Sequence, residues 1–267
     1  MTDDPRAGTA GPDASVGADA AAGAGALVIV ATYDEADNIG PLLDAIHQAL
    51  PAADVLVIDD NSPDGTGRLV DRRIAAWPPG ERPWLTAIHR AGKQGLGTAA
   101  VLGFQTAIAE GYRQAITLDA DFSHPPDRLP ALWRAVRDGV DVCVGSRYVA
   151  GGSIVGWPLR RRIASALING FARRMLGLPV RDVSGAFRAY RTATLAAMGP
   201  ESVVSRGYGY LEEVLLRLRQ AGATFREVPI RFVDRERGQS KITLREAFAA
   251  VAMIVRLAAR RGRGGRD

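Results

Sequence analysis

Cysteine is nearly missing from this 267-residue chain: Cys143 is the only one. A single thiol excludes an intrachain disulfide framework and fits a reducing compartment. It sits in the strand-like Val142-Cys143-Val144, which favours a buried, inert side chain over a nucleophile. Lysine is almost as scarce. Only Lys93 and Lys241 occur, so arginine carries nearly all of the positive side of a +5 net charge. Arginine's planar fork suits phosphate groups, because it gives two parallel hydrogen bonds. No nucleic-acid recognition motif accompanies that charge, and no nucleic-acid partner is expected. Long apolar runs are missing too. The longest near the end, Ala247 to Val255, falls far short of the ~18–20 residues that cross a bilayer. The first residues are acidic and rich in Ala and Gly, without the basic start and apolar core of a secretory signal. The expectation is a cytoplasmic protein, soluble or bound peripherally to the cytoplasmic face of a membrane.

What is present is ordinary for a globular protein. Hydrophobic residues make up 47% of the chain, so disorder is expected only at its ends: a tail over 1–25 and a basic tail over 259–267. Ala26 to Ala31 reads as a buried strand. Asp37 is placed to cap a helix from Ile39 to about Leu50. Strands are expected at Val55–Ile58, Leu85–His89, Ile116–Leu118 and Asp141–Ser146. Helices at Gly67–Ala76, Gly95–Glu110 and Leu129–Asp138 alternate with them. This alternation predicts an α/β fold with a mainly parallel central sheet and helices on both faces. The second half departs from it. A helix over Leu159–Leu176 carries Ile163, Leu167, Phe171 and Met175 as one stripe among Arg160, Arg161, Arg162, Arg173 and Arg174. A strand at Ala186–Tyr190, a helix at Leu211–Gln220, a strand at Phe225–Val233 and an amphipathic helix at Leu244–Leu257 complete the reading.

The chemistry gathers just past the strands. Ile116-Thr117-Leu118 ends in Asp119-Ala120-Asp121, two carboxylates on one side of an extended chain. They repel each other unless a cation lies between them, and oxygen ligands suit Mg²⁺ or Mn²⁺. Taken alone, the pattern also describes a solvated acidic turn, and its surroundings must decide. In Asp59-Asp60-Asn61-Ser62-Pro63-Asp64-Gly65-Thr66, Asp64 and Ser62 read as capping residues. The adjacent Asp59 and Asp60 are left to accept hydrogen bonds from a ribose or a base. Gly95-Leu96-Gly97-Thr98-Ala99-Ala100 fits a dinucleotide fingerprint, with Asp119 at about the right distance. It lies in the third strand–helix turn rather than the first, and it leaves Asp59, Asp60 and Asp121 without a role. Close backbone packing is the better reading of these glycines, and a nicotinamide dehydrogenase is the alternative.

Together the acidic strand ends lay out a nucleotide-sugar site, with base and ribose held first and a metal on the diphosphate. The basic clusters describe a second substrate. Arg147 ends a strand, Arg161 and Ser165 lie one helical turn apart, and Arg235, Gly238, Ser240 and Lys241 follow the last strand. They favour an anionic acceptor. A phosphomonoester, with a second pKa of ~6, would be its own nucleophile. That suits a chain with no convincing general base, since His124 before Pro125-Pro126 reads as a loop residue.

At this point the chain resembles the dolichol- and polyprenol-phosphate mannosyltransferases of glycosyltransferase family 2, with their GT-A fold, over about residues 26–245. The motifs above carry the resemblance, together with Ala31-Thr32-Tyr33-Asp34-Glu35, Gly145-Ser146-Arg147-Tyr148 and Pro229 to Arg235. It implies one GT-A domain over 26–258, with a nucleotide-sugar half over 26–150 and an acceptor- and lipid-facing half over 151–258. It implies GDP-mannose as donor, a polyprenyl phosphate as acceptor and an inverting displacement. It further implies nucleoside contacts from Ala31, Tyr33, Glu35, Ile58 and Asp60. Asp119, Ala120 and Asp121 would meet the diphosphate, with the two carboxylates on Mg²⁺ or Mn²⁺. Arg147, Arg161, Ser165, Arg235 and Lys241 would hold phosphate. Asp121, Arg147 and Arg235 carry the catalytic expectation, and Glu213 fits an acidic position of underived role. Ala31 replaces a usual Pro, Asp34 a usual Asn, and Ser123 a Gln metal ligand of some members. UDP-glucose or UDP-GlcNAc therefore stay open as donors, as does a non-catalytic nucleotide-binding scaffold. The route to the lipid is equally open. The basic amphipathic helices at 159–176 and 244–257 could lie on a membrane or pack on the sheet, or a membrane-protein partner could serve.

Overall fold

β1 (Ala26–Thr32) is apolar at nearly every position because it lies inside the sheet with both faces covered. Its side chains alternate between two cores. Val28 and Val30 enter one, and Leu27 and Ile29 enter the other. The computed structural model describes residues 21–234 and 254–258. The remaining strands are β2 (Asp54–Asp59), β3 (Leu85–His89), β4 (Gln114–Asp119), β5 (Val142–Ser146), β6 (Ser153–Val155), β7 (Arg188–Arg191), β8 (Phe225–Pro229) and β9 (Arg231–Val233). Seven of them form the central sheet in the order β3-β2-β1-β4-β7-β5-β8. Its pairings are parallel except those of β7, which runs antiparallel to β4 and β5.

Helices α1 (Ala36–Ala49), α2 (Thr66–Ala75) and α4 (Leu129–Arg137) cover the first face. Ile39, Leu42, Leu43, Ile46, Val70 and Leu132 supply their apolar sides. Helices α3 (Leu96–Ala109), α6 (Thr192–Met198) and α7 (Tyr210–Gln220) cover the second, with the last turns of α5 (Leu159–Leu176). Cys143 is buried in the first core, and burial pushes its thiol up to about 12, so it is inert.

Three expectations need correcting. Asp37 does not cap α1; the helix start takes its acceptors from the loop after β2. There the Glu35 amide donates to Thr66 Oγ1 (3.0 Å) and the Ala36 amide to Asp64 Oδ2 (2.9 Å). The strand expected over 225–233 is two strands. Pro229 has no N–H to offer, the Ile230 amide donates to the Ser146 carbonyl, and the chain then pairs with β6 instead. The fold also begins before Ala26: Ala22 is buried and its carbonyl accepts the Ala52 amide. Of the placements left open for the α5 stripe, packing on the sheet is not the one found. It packs through Asn169, Ala172 and Leu176, while Leu159, Ile163, Leu167, Phe171 and Met175 face out. Of the helix expected over 244–257, residues 254–258 are described. They are helical, with Ile254 and Leu257 in the second core. The rest of it, and both tails beyond 21 and 258, lie outside the described residues.

Candidate functional site

Strand register brings the acidic loops together. Ala31 of β1 pairs with Ile58 of β2 on one side and with Asp119 of β4 on the other. The three loops that follow leave the same edge of the sheet. Each contains a non-glycine residue in the left-handed region: Asp34 (φ 60°), Asn61 (φ 59°) and Phe122 (φ 59°). Among the described residues there are no others. Asp and Asn tolerate that conformation best, so Asp34 keeps the geometry an Asn would have. Backbone strain of this kind is held where the surrounding structure determines it, and it collects at functional sites.

The adjacent carboxylates of the second loop have separate tasks. Asp59 is a brace. It accepts from the Thr32 hydroxyl (3.1 Å), the Ser62 hydroxyl and the Ser62 amide (3.2 Å), tying β1 to β2. Asp60 is buried against Arg90, whose guanidinium donates to it, and it accepts the Gln94 amide at 3.2 Å. Arg90 also reaches Thr98 Oγ1 (2.6 Å) and the Gly95 carbonyl (3.2 Å). It thus clasps the second and third loops together. Asp64 bonds the Thr66 amide and hydroxyl as well as Ala36. Burial alone would raise its carboxyl, but those hydrogen bonds hold it below its ordinary value. Glu35 accepts from Asn38 (2.7 Å), and half-exposed Tyr33 lies under the Lys93 ammonium, 4.0 Å from ring centre to Nζ.

The Asp119–Asp121 loop is held from below. His124 is fully buried, stacked on Phe187 (5.3 Å) and edge-on to Phe232 (5.6 Å). Its Nδ1 accepts the Asp119 amide at 3.2 Å, so that nitrogen carries a lone pair. Burial lowers the imidazole pKa, against the pull of the Asp119 carboxylate and with the push of Arg147. His124 is therefore a loop residue, as expected, but a buried one and not an accessible base; it supports the Asp119–Asp121 turn from below. Asp121 Oδ1 caps the Ser123 amide (3.0 Å), and the buried Ser123 hydroxyl has no hydrogen-bond partner among the described residues. Among the described residues no three His, Cys, Asp or Glu side chains form a ready metal cage. Two carboxylates at a strand end fit a hard cation such as Mg²⁺, which keeps waters and binds through one or two carboxylates plus substrate phosphates.

Across from this loop lies the basic side. Arg147, just past β5, is buried and gripped by Asp182. Its Nε and Nη2 donate to the two carboxylate oxygens (2.7 and 2.6 Å), and Nη2 also reaches Ser184 Oγ (3.0 Å). Asn169 of α5 accepts the Val183 amide (2.8 Å) and donates to Ser184 Oγ (3.0 Å). Ser165, one turn earlier, accepts from the Tyr148 hydroxyl (2.7 Å). Arg161 donates to Asp234 (3.0 Å) and lies over the Trp157 ring. Arg235, Gly238, Ser240 and Lys241 lie outside the described residues.

The glycines of the third loop are explained by packing. A Cβ on Gly97 would meet the Ser205 carbonyl oxygen at 2.3 Å, and one on Gly95 would meet that of Arg206 at 2.5 Å. The segment over 203–206 lies directly against them and is held by Glu213, which accepts the Val204 and Ser205 amides and the Arg217 guanidinium. The neighbouring Glu212 is buried too, and burial raises its carboxyl to about 7.

Residues 27–199 match the model of glycosyl transferase family 2. The chain belongs to this family. As a family 2 glycosyltransferase it is 41% identical over 236 residues to the undecaprenyl-phosphate mannosyltransferase of Micrococcus luteus, covering 88% of this chain and 95% of that protein. It is 40% identical over 229 residues to the polyprenol monophosphomannose synthase of Mycolicibacterium smegmatis, covering 85% of each. Among solved structures, glucosyl-3-phosphoglycerate synthase from Mycobacterium tuberculosis, in complex with Mn²⁺, UDP and phosphoglyceric acid, superposes with a TM-score of 0.63. The identity is 18%, over 92% of this chain and 84% of that one, a likeness of fold.

Sequence reading missed several residues that organise this glycosyltransferase's site: Arg90, Asp182, Asn169 and Trp157. Arg90 had a usable signal, since it directly follows a strand end as Asp60 does. Asp182 and Asn169 had none, because their partners lie 35 and 14 residues away in the chain.

Proposed function

We propose that the protein transfers mannose from GDP-mannose to the phosphate of a polyprenyl monophosphate, inverting the anomeric centre. One observation carries the lipid-linked acceptor. Helix α5 turns Ser165 and Arg161 toward Tyr148 and Trp157, while its other side presents an exposed apolar stripe with Leu159 and Leu167 69% and 68% exposed. A water-soluble acceptor would need no such stripe beside its phosphate site. The names of the Micrococcus and Mycolicibacterium relatives support the same acceptor class and the same sugar.

In this reading Tyr33, Glu35, Asp60 and the backbone at Ala31 and Ile58 surround the nucleoside. Asp119 and Asp121 would hold Mg²⁺ or Mn²⁺ beside the diphosphate. A divalent cation there neutralises charge on the departing nucleotide. Arg147, Arg161 and Ser165 hold and aim the acceptor phosphate, with Arg235 and Lys241 assigned to the same work. The phosphate is ionised near neutral pH and attacks without a protein base, which agrees with His124 being buried and neutral. Because the fold is shared with a UDP-binding enzyme, the guanine base is read from the family resemblance and not from the fold.

The protein is assigned to the cytoplasmic face of a membrane as a peripheral enzyme, with residues 26–150 serving the donor and 151–258 the acceptor. Among the described residues no helix is long and apolar enough to cross a bilayer. Labelled GDP-mannose supplied with a polyprenyl phosphate should give labelled lipid. Asp121→Ala or a chelator should abolish it. Equal transfer from UDP-glucose would overturn the donor, and transfer surviving both treatments would overturn the metal.

A further inference from the structure

Trp157 lies against both of the arginines assigned to the acceptor phosphate. The guanidinium carbon of Arg161 lies 4.0 Å from the Trp157 ring centre, and that of Arg147 lies 5.6 Å from it. Each arginine is also gripped along one edge by its own carboxylate, Arg147 by Asp182 and Arg161 by Asp234. A carboxylate fixes the direction of the N–H groups it accepts, and an aromatic ring against the guanidinium adds a second constraint. Arg147 meets three such rings, Tyr148 and Phe232 at 5.3 Å besides Trp157, and Trp157 is the one it shares with Arg161.

The pose of the indole is itself determined from the core side. Its ring meets Phe232 at 5.3 Å and 66°, and Phe232 meets His124 at 5.6 Å and 72°. His124 in turn accepts the Asp119 amide. The aromatic contacts therefore run from beneath the Asp119–Asp121 loop to the ring that both arginines meet. The indole Nε1 is buried and has no hydrogen-bond partner among the described residues, so packing, not a hydrogen bond, holds the ring.

We propose that Trp157 is a positioning residue for the acceptor phosphate: it is the shared platform that sets the planes and the separation of Arg147 and Arg161. This rests on the reading that these two arginines receive that phosphate. Neither contact alone requires a tryptophan, but one ring serving two cations does require a large, flat side chain at this place.

The test compares wild type, Trp157→Ala and Trp157→Phe for affinity toward farnesyl monophosphate and toward GDP with Mn²⁺, by calorimetry, with mannosyl transfer measured in parallel. Trp157→Ala should weaken farnesyl phosphate binding about tenfold, the order expected for partly desolvated cation–π contacts. GDP affinity should stay within about twofold. Trp157→Phe, which keeps a ring face and drops the indole N–H, should recover most of the loss. Farnesyl phosphate affinity unchanged in Trp157→Ala overturns the proposal, even if the wild type transfers mannose. So does a parallel loss of GDP affinity, which would mark general disruption, or Trp157→Phe falling as far as Trp157→Ala, which would assign the loss to the N–H. A wild type that transfers no mannose, yet binds farnesyl phosphate through Trp157, would sink the proposed reaction and leave the platform standing.

Discussion

Asp182 accepts three N–H groups from Arg147: the backbone amide at 3.0 Å, Nε at 2.7 Å and Nη2 at 2.6 Å. The carboxylate is completely buried, and the guanidinium nearly so. Burial alone would raise the Asp182 carboxyl, but the Arg147 charge and hydrogen bonds hold it below its ordinary value. Arg147 is thereby fixed, not mobile, before any ligand arrives.

Removing the carboxylate charge should be costly, because a buried cation then loses its counter-charge. Breaking one side of such a pair costs about 3–5 kcal/mol. Asp182→Asn should lower the melting temperature by on the order of 10 °C. Adding Arg147→Met should recover part of the stability, since no unpaired cation remains, while transfer stays lost. Thermal melts and transfer assays on the single and double variants check this; a single variant as stable as wild type contradicts it.

Glu212 sets a pH dependence of the opposite sign to a paired carboxylate. Burial raises its carboxyl from 4.5 to about 7, opposed by its own backbone amide and by Arg188. Below pH 4.5 the group is neutral whether folded or unfolded, so its burial carries no ionic penalty. Between 4.5 and 7 the unfolded chain ionises first, and stability falls as pH rises. Above 7 the full penalty remains. Glu212→Gln stays neutral and should melt several degrees above wild type at pH 8, with little difference at pH 4.5. Melting curves that run parallel between these pH values would refute the assignment.

The stripe on α5 is expected to bind membrane and not to stabilise the fold. No acidic residue occurs in the helix, and Arg160, Arg162, Arg173 and Arg174 are exposed with the stripe. Ile163→Glu or Leu167→Glu should leave the melting temperature within about 2 °C, since surface changes cost little. Each should weaken co-sedimentation with phosphatidylglycerol vesicles by about tenfold or more, given about 1.5–3 kcal/mol for burying such a side chain. Unfolding of either variant would mean that the stripe packs against protein.

Gly97 should tolerate no side chain. Gly97→Ala drives a Cβ against the Ser205 carbonyl and the Tyr210 side chain, so the 203–206 segment must shift. Overpacking of this kind costs about 1–3 kcal/mol. Calorimetric melting checks the loss. NAD(H) should bind neither form, because the glycines serve backbone contact and not a dinucleotide.

Much of this was legible along the chain. Alternating apolar strands and helices mark the sheet, since a central parallel strand must be apolar on both faces. Asp119 and Asp121 at a strand end, and Arg161 and Ser165 one turn apart, are local patterns. The split roles of Asp59 and Asp60 were not legible, because Arg90, just past β3, claims one and Thr32 of β1 the other. The antiparallel course of β7 was hidden as well; a short apolar run carries no direction.

The sequence by itself determined the family, the fold class and the acidic and basic sides of the site, all of which rest on residue type and near spacing. The tertiary structure decided which of these groups are accessible and which are held. It buried His124, gave Arg147 to Asp182, turned the α5 stripe outward and set Trp157 against two arginines. Those outcomes depend on contacts between residues distant in the chain, and their energies arise from burial and pairing that exist only once the strands are in register.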